Sequence, residues 1–389
     1  MRSRAGLNAT ATLILASRGR NRCILARVRK AYRNSVITIR DVARAAGVTP
    51  STVSKALNGT DRVGQGTRER VCAVAKKLGW HANQMARGLV LRRSHLIGLV
   101  VPSITNDFCA QLYQGAESYA VERGYGVLLS VTKEDLRKEK SALERLRRVV
   151  QAEGVIALPA PSSPGKSSFH DQALADWPYV LVVRHFPDLQ SDRVLCDDVK
   201  GGYMATSHLI ALGHRTIFFV SDARQSGCSN VKARCTGYRQ ALGQAGLRLD
   251  PACSIDVHIG RPPEAQTALF KALRRRKPTA IFANNDPTAV AILAFLNSAK
   301  LKVPDDIALV GFGNLNVSRL VNPQLTTIDY GAEEMGRLAA TVLIDRLQGS
   351  VTGQHQILLE PHLVSRDSCG ARSSGADRST GHLELMSVG

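Results

Sequence analysis

"TIRDVARAAGVTPSTVSKALNG" occupies residues 38–59 and predicts two short helices joined by a tight turn. Thr38 can cap the first helix, and Gly47 permits the positive φ that such a turn needs. Thr49 is a favourable N-cap for the second helix, and Pro50 is a favourable first helical residue. This order of caps, glycine turn and helix start predicts a helix-turn-helix unit.

The second helix separates an apolar face from a polar face. Val53 and Leu57 lie four residues apart and face inward, so the short polar side chains face outward. Such groups at the start of a helix are typical of major-groove recognition, and the positive end of the helix dipole favours phosphate. A capped helical hairpin without a DNA role is the alternative. The candidate DNA contacts in this unit are Thr38, Thr49, Pro50, Ser51, Thr52, Ser54, Lys55 and Asn58.

A third helix is predicted over residues 67–80, "TRERVCAVAKKLGW". Apolar residues recur at helical spacing from Val71 to Leu78, and Gly79 predicts the C-terminal cap. We therefore expect a compact, all-α, three-helix head over residues 37–81.

A linker over residues 82–95 follows, and its "NQMARGLVLRRS" segment predicts a short hinge helix that is marginal by itself. Met85 and Leu89 have no obvious core to join. Apolar side chains flanked by arginines are typical of insertion into the minor groove. A plain linker is the alternative. The candidate contacts here are Asn83, Ala86, Arg87 and Leu89.

Positive charge is concentrated near the N-terminus. The net charge is +20; residues 1–36 carry nine Lys or Arg and no acid, and residues 37–95 carry eleven basic and three acidic residues. A basic head on a nearly neutral body predicts double-stranded DNA as a partner, with a solvated basic surface as the alternative. We expect residues 1–36 to form a disordered basic arm, or to be absent if the natural chain starts near Val36. The tail, residues 370–389, is also predicted to be disordered.

From residue 96 onward, predicted strands alternate with predicted helices, beginning with "LIGLVVP". This alternation predicts an α/β body of parallel sheets with flanking helices. We expect a two-lobed effector-binding and dimerisation domain over residues 96–369, with a ligand cleft where the strands end. The first lobe is predicted to contain about 96–195 and 328–355, and the second about 196–327 and 356–369.

Four segments together resemble the DNA-binding head and hinge of the LacI/GalR family of lac-repressor-like transcriptional regulators. These segments are the opening stretch, "TRERV" with "LGW", "NQMARGL" and "IGLVVP". The resemblance extends from about Ile37 to Ser368 and implies a periplasmic-binding-protein-like body. "VGQGT", before the third helix, departs from the family pattern at that helix's N-cap.

The resemblance also implies a function. In the family, the residues matching Pro50, Ser51 and Lys55 read operator bases, and the residue matching Leu89 wedges into the minor groove. A homodimer would bind a pseudo-palindromic operator in the cytoplasm under the control of a small-molecule effector. The tail lacks a long leucine heptad, which argues against a coiled-coil tetramer.

Residues at the predicted strand ends are the candidate effector contacts. Asn106 and Phe108 match the family's "NPF" positions, with Asp107 in place of Pro, and Arg234 matches the family's R-x-x-G arginine. The full candidate set is Asn106, Phe108, Arg184, Arg234, Phe282, Asn285 and Asp286.

Gly313, in "VGFGN", departs from many sugar-responsive relatives, which have Asp after "GF" or "GY". Loss of that carboxylate, with Arg184 and Arg234 retained, favours an anionic effector such as a sugar acid. A neutral sugar is the alternative.

Other classes of function lack their motifs. The sequence has no strand followed by G-x-G-x-x-G, no P-loop, no G-x-S-x-G and no H-E-x-x-H, and its eight cysteines have no metal-binding spacing. We therefore expect no enzyme activity, no cofactor and no metal. No apolar run approaches the roughly 20 residues that span a membrane. A sugar-binding sensor or carrier without a DNA role is the alternative from a different class.

Overall fold

The computed structural model separates into two compact units, with the boundary between residues 92 and 93. The predicted N-terminal arm and nearly all of the predicted tail lie outside the residues that the structure describes. The described residues are 37–57, 63–80, 93–105, 107–163, 165–174, 176–259, 261–350 and 353–370.

The first unit, the head, contains three helices around a small apolar core. Val42, Val53 and Val71 each come from a different helix, and all three are fully buried. The helices are α1 (Ile39–Ala46), α2 (Pro50–Leu57) and α3 (Gln65–Leu78).

Local capping defines the turn between α1 and α2. The backbone N–H of Thr38 donates to the Asp41 carboxylate at 2.9 Å, and the Thr38 hydroxyl donates to the same oxygen at 2.6 Å. These hydrogen bonds from Thr38 lower the pKa of Asp41. Gly47 follows α1 with a φ of +66°, and Pro50 begins α2. The predicted helix-turn-helix is confirmed.

The third helix begins two residues earlier than predicted. Gly64 occupies the N-cap of α3 and supplies no side-chain hydrogen bond, which is the consequence of the unusual "VGQGT" segment. Gly79 ends the helix with a φ of +64°, as predicted. Val71 and Ala75 are buried, while Val74 and Leu78 pack against the core from its edge.

The second unit, the body, alternates strands and helices as predicted. Its strands are β1 (Leu96–Val101), β2 (Gly126–Val131), β3 (Gly154–Ala157), β4 (Tyr179–Val182), β5 (Asp192–Cys196), β6 (Ile217–Asp222), β7 (Ser254–Val257), β8 (Ala280–Ala283), β9 (Ala308–Phe312), β10 (Thr326–Asp329), β11 (Gln356–Leu359) and β12 (His362–Val364). Its helices are α4 (Asp107–Glu122), α5 (Leu136–Glu144) with a π-helical continuation (Arg145–Val150), α6 (Asp198–Ala211), α7 (Ser229–Gln244), α8 (Pro262–Arg276), α9 (Asp286–Ser298), α10 (Val317–Leu320) and α11 (Ala332–Leu347).

Two six-stranded sheets define two lobes. The first sheet has the order β11-β5-β4-β3-β1-β2, and the second has the order β12-β10-β9-β8-β6-β7. All neighbouring strands pair in parallel except β12, which pairs antiparallel with β10. Central strands such as β3 and β8 are buried along their whole length, as expected for parallel sheets covered on both faces. The carboxyl ends of the parallel strands are where a ligand cleft is expected.

One predicted lobe assignment is wrong. β11 pairs in parallel with β5 and so belongs to the first lobe, whereas the sequence assigns residues 356–369 to the second. The chain returns to the second lobe only between Leu359 and His362, and its preceding crossing follows Asp329. β11 is a short edge strand with alternating exposure, and such a pattern contains no signal for the sheet that it joins.

Each lobe contains two helices that approach each other at glycines. In the first lobe, a Cβ on Gly115 of α4 or on Gly336 of α11 would overlap the backbone of the other helix. Gly202 of α6 and Gly237 of α7 have the same relation in the second lobe, where a Cβ on Gly237 would overlap the carbonyl oxygen of Val199. The close approach of the backbones therefore excludes a side chain at these positions.

We expect Gly237→Ala to lower the free energy of unfolding by about 1–3 kcal/mol, because the added methyl group must displace α6. Gly243→Ala in the same helix is the matched control. No described atom lies within 4 Å of its added Cβ, and alanine in place of helical glycine stabilises by roughly 0.5–1 kcal/mol. Urea unfolding, followed by circular dichroism, measures the free energy of unfolding of both variants. Equal unfolding midpoints for the two variants would contradict the close packing of α6 and α7.

Candidate functional site

The start of α2 presents a cluster of hydroxyl groups. The Thr49 hydroxyl accepts a hydrogen bond from the backbone N–H of Thr52 at 3.2 Å, so Thr49 caps the helix as predicted. Its oxygen also lies 2.8 Å from the hydroxyls of Ser51 and of Thr52. Ser51 and Lys55 are exposed, and Ser54 is half-buried beside them. The helix therefore offers donors and acceptors at its N-terminal end, where a base edge or a phosphate can approach.

The remaining DNA-contact candidates divide into two groups. Thr38 and Pro50 are exposed at the starts of α1 and α2. The others lie outside the described residues, and their DNA contacts remain predictions. They are Asn58, Asn83, Ala86, Arg87 and Leu89.

The interlobe cleft contains a small cavity of about 60 Å³, hereafter the central cavity. Four of the predicted effector residues line it: Phe108, Arg184, Arg234 and Asn285. They come from both lobes, since Phe108 and Arg184 belong to the first and Arg234 and Asn285 to the second. The structure thus brings together residues that are up to 177 positions apart in the chain.

Two other candidates have structural surroundings instead. Phe282 lies within the buried strand β8, where its ring packs edge-to-face against Phe219 with the ring centres 5.3 Å apart. The carboxylate of Asp286 accepts hydrogen bonds from the Thr327 hydroxyl at 2.6 Å and from the backbone N–H of Leu315 at 2.8 Å. Neither residue is in the wall of the central cavity, and Asn106 lies outside the described residues.

Arg184 is paired within the first lobe. Its Nη1 donates to Glu134 Oε2 at 2.7 Å and to the carbonyl oxygen of Pro159 at 2.9 Å, and its Nη2 donates to Glu134 Oε1 at 3.0 Å. The side chain of Arg184 is 7% exposed and that of Glu134 is 14% exposed. This end-on ion pair compensates the arginine's charge at the wall of the central cavity.

Arg234 is paired within the second lobe. Its Nε donates to Asp198 Oδ1 at 2.7 Å, and its Nη1 donates to the carbonyl oxygen of Asn284 at 2.5 Å. The guanidinium carbon lies 3.6 Å from the centre of the Phe312 ring. Burial raises the pKa of Asp198 to about 6, while the neighbouring Arg234 acts in the opposite direction.

Hydrogen bonds cross the cleft between the lobes. Gln225 Nε2, from the second lobe, donates to Glu134 Oε1 of the first lobe at 3.1 Å. Gln225 Oε1 in turn accepts from Asn285 Nδ2 within the second lobe at 3.3 Å. At another point, the backbone N–H of Asn316 donates to the Asp107 carboxylate at 2.7 Å. The position at which the sequence departs from the family's "NPF" pattern is therefore an interlobe contact.

The residues of the central cavity that were not predicted include Glu134, Gln225 and Asn230. Asn230 is 8% exposed, and its Oδ1 has no hydrogen-bond partner within the described structure. An unpaired buried acceptor at a cavity wall is where a ligand hydroxyl can donate. The available signal was position, since Glu134 and Gln225 each follow a strand, β2 and β6 respectively, by three residues.

The described residues are those of the ranges given above. No helix in those ranges combines the length and the apolar character that crossing a bilayer requires. No group of three or more His, Cys, Asp or Glu side chains in them is placed to hold a metal ion.

Family comparisons match both units. A family model described as "Bacterial regulatory proteins, lacI family" matches residues 38–83. A model described as "Periplasmic binding protein-like domain" matches residues 206–369.

Relatives of similar length match along nearly their whole chains. The "HTH-type transcriptional regulator DegA" of Bacillus subtilis is 34% identical over 85% of this chain and 97% of its own. The "Ribose operon repressor" of Haemophilus influenzae is 31% identical over 85% of this chain and 98% of its own.

Solved structures show the same fold. The "transcriptional regulator CelR-cellobiose complex" has a TM-score of 0.63 and 30% identity, over 85% of this chain and 99% of that chain. The lac repressor dimer bound to operator and the anti-inducer ONPF has a TM-score of 0.75 and 23% identity, over 86% of this chain and 100% of that chain.

The head, the two-lobed body and the full-length relatives agree with the resemblance seen in the sequence. The chain belongs to the lacI family of bacterial regulatory proteins and is a DNA-binding transcriptional regulator.

Proposed function

We propose that this regulator binds a pseudo-palindromic operator as a homodimer, represses transcription, and responds to a sugar-type effector in the interlobe cleft. The observation that carries the proposal is the polar N-terminal turn of α2. The same chain also contains a two-lobed body with a ligand cleft. Two identical heads related by a two-fold axis match two half-sites of a palindrome. A carrier without a DNA role would not need the head.

The central cavity favours a neutral, hydroxyl-rich ligand. The sequence favours a sugar acid because Arg184 and Arg234 are present, but Glu134 and Asp198 already compensate both charges. A carboxylate entering this cavity would lie beside Glu134 and be repelled. Asn230 and Asn285 are instead suited to sugar hydroxyls. The related CelR was solved with cellobiose.

Binding must involve movement of the lobes. The central cavity has room for a few water molecules but not for a sugar ring. A ligand therefore enters when the interlobe hydrogen bonds open, and a ligand that contacts both lobes then favours their closure. Such a ligand shifts the population of the DNA-binding arrangement by its differential affinity for the two states.

The residues at the cleft favour binding over catalysis. Cys228, a thiol-bearing residue at the cleft, is buried, and burial raises the pKa of its thiol. A protonated thiol is a poor nucleophile. The arginines of the central cavity are held in ion pairs with carboxylates, and its other polar groups include side-chain amides. Such groups bind and orient a ligand.

We expect Lys55→Ala to weaken binding of the operator roughly 10- to 100-fold, because a specific base contact is worth about 1–3 kcal/mol. Lys77→Ala removes the same charge from an exposed position on α3 and is the matched control. Fluorescence anisotropy with a duplex selected from genomic fragments, and with an unrelated duplex, measures both variants. Lys55→Ala should lose more affinity for the selected duplex than for the unrelated one. An equal loss for both variants on both duplexes would leave α2 without a recognition role.

We expect Asn230→Ala to weaken effector binding about tenfold, which corresponds to one lost hydrogen bond of about 1–1.5 kcal/mol. The variant removes a buried acceptor that has no partner in the described structure, so its unfolding midpoint should stay the same or rise. Calorimetry with a panel of neutral sugars, aldonates and uronates measures the affinity. An unchanged affinity for every ligand that binds the wild-type chain would place the effector elsewhere.

A further inference from the structure

A second cavity, the flanking cavity, lies beside the central cavity and has a volume of about 160 Å³. Arg184 is in the walls of both cavities. The flanking cavity is enclosed by residues 160–162, which follow β3, by residues 184–187, which follow β4, and by residues 227–232, around the start of α7. It is therefore built from both lobes.

The side chain of Arg184 has donors that its ion pair does not use. A guanidinium group has five N–H donors in one plane. Nη1 uses both of its donors, on Glu134 and on the carbonyl oxygen of Pro159, and Nη2 uses one on Glu134. Nε is buried and has no partner among the residues that the structure describes. Nε–H and the remaining Nη2–H lie on the same edge of the plane, which is the arrangement that binds a carboxylate or a phosphate through two parallel hydrogen bonds.

The second lobe contributes the start of α7. The side chain of the N-cap residue, Cys228, makes no capping hydrogen bond to this helix of 16 residues. The first N–H groups of a helix have no partner within the helix and carry its positive dipole end. Lys232, in the first turn, adds an ammonium group to the same wall. Across the cavity, the hydroxyl oxygen of Ser162 is buried and also has no partner in the described ranges.

The wall of the flanking cavity differs from that of the central cavity in its acidic residues. No acidic side chain is in its described wall. Glu134 is in the wall of the central cavity, where Arg184 and Gln225 bind it. Glu139 lies behind the wall, fully buried, and accepts a hydrogen bond from the backbone N–H of Ala160 at 2.6 Å. Burial raises the pKa of Glu139.

We propose that the flanking cavity binds an oxyanion between the Nε edge of Arg184, the Ser162 hydroxyl, Lys232 and the first turn of α7. The shared chemistry is a phosphate or carboxylate group, either free or attached to a sugar. In its attached form, which rests on the proposed function, the effector is a sugar phosphate or a sugar acid. Its ring lies at the central cavity, which the movement of the lobes widens, and its anionic group occupies the flanking cavity. With this arrangement, a cleft whose arginines are paired can still select an acidic ligand.

Titration calorimetry of the full-length chain with inorganic phosphate, at constant ionic strength, tests the site. We expect saturable binding that Lys232→Gln weakens roughly tenfold, as for one hydrogen bond to a charged group. Ser162→Ala should weaken it less, because a neutral hydroxyl is lost. Arg239→Gln is the matched control, since it removes one positive charge from an exposed position on α7 outside the cavity. No saturable binding, or an equal loss in Lys232→Gln and Arg239→Gln, would overturn the proposal.

A second series identifies the source of the anion. Ribose is compared with ribose 5-phosphate, and glucose with glucose 6-phosphate and glucuronate, on the wild-type chain and on Lys232→Gln. Lys232→Gln should weaken binding of the acidic sugar in a pair and leave binding of the neutral sugar unchanged. Weaker binding of a sugar phosphate indicates a phosphate site, and weaker binding of glucuronate indicates a carboxylate site. If neutral sugars bind but no phosphate or acid gains from Lys232, the oxyanion site is wrong and the proposed function stands. If phosphate binding depends on Lys232 and no sugar binds, the site stands and the sugar assignment is wrong.

Discussion

The buried ion pair between Arg234 and Asp198 is the interaction on which the second lobe's side of the cleft depends. Each charge is almost completely removed from water, and neither would be tolerated there without the other. The pair is possible because Gly237 lets α7 approach α6 closely. Arg234, one turn earlier in α7, then reaches Asp198 at the start of α6. The spacing of Arg234 and Gly237 therefore has a steric reason, independent of any ligand.

The first lobe also pairs a buried arginine with a carboxylate, but the two residues come from loops and not from helices. Arg184 follows β4 and Glu134 follows β2, so their ion pair connects two loops at the carboxyl edge of the first sheet. Gln225, from the second lobe, donates to the same carboxylate. Glu134 is consequently shared between an intralobe ion pair and an interlobe hydrogen bond. Opening the cleft breaks the second of these and leaves the first in place.

The sequence predicted most accurately what local interactions determine. The helix-turn-helix was predictable from Thr38, Gly47, Thr49 and Pro50, because capping and turn formation depend on neighbours in the chain. The strand β11 could not be assigned, since its lobe is decided by pairing with a strand about 160 positions earlier.

The charge balance of the effector site could not be predicted for the same reason. Two arginines at the cleft indicate an anion by themselves only if nothing else compensates them. Their partners are 50 and 36 positions away, in segments that no local pattern connects to them. Glu134, in a loop, and Asn230, in the first turn of α7, were missed because polar residues at such positions are common. Only the folded chain shows which of them face one cavity.

The placement of donors in two lobes has a consequence for regulation. A ligand changes a conformational equilibrium only by as much as its affinity differs between the two states. A ligand held by one lobe alone binds the open and the closed cleft equally well and shifts nothing. Arg184 and Ser162 come from the first lobe, whereas Lys232 and the start of α7 come from the second, so an oxyanion between them loses half of its donors when the cleft opens. Most of the binding free energy of that group would therefore act on closure. A sugar ring at the central cavity, which residues of both lobes line, supplies specificity and adds to this conformational response.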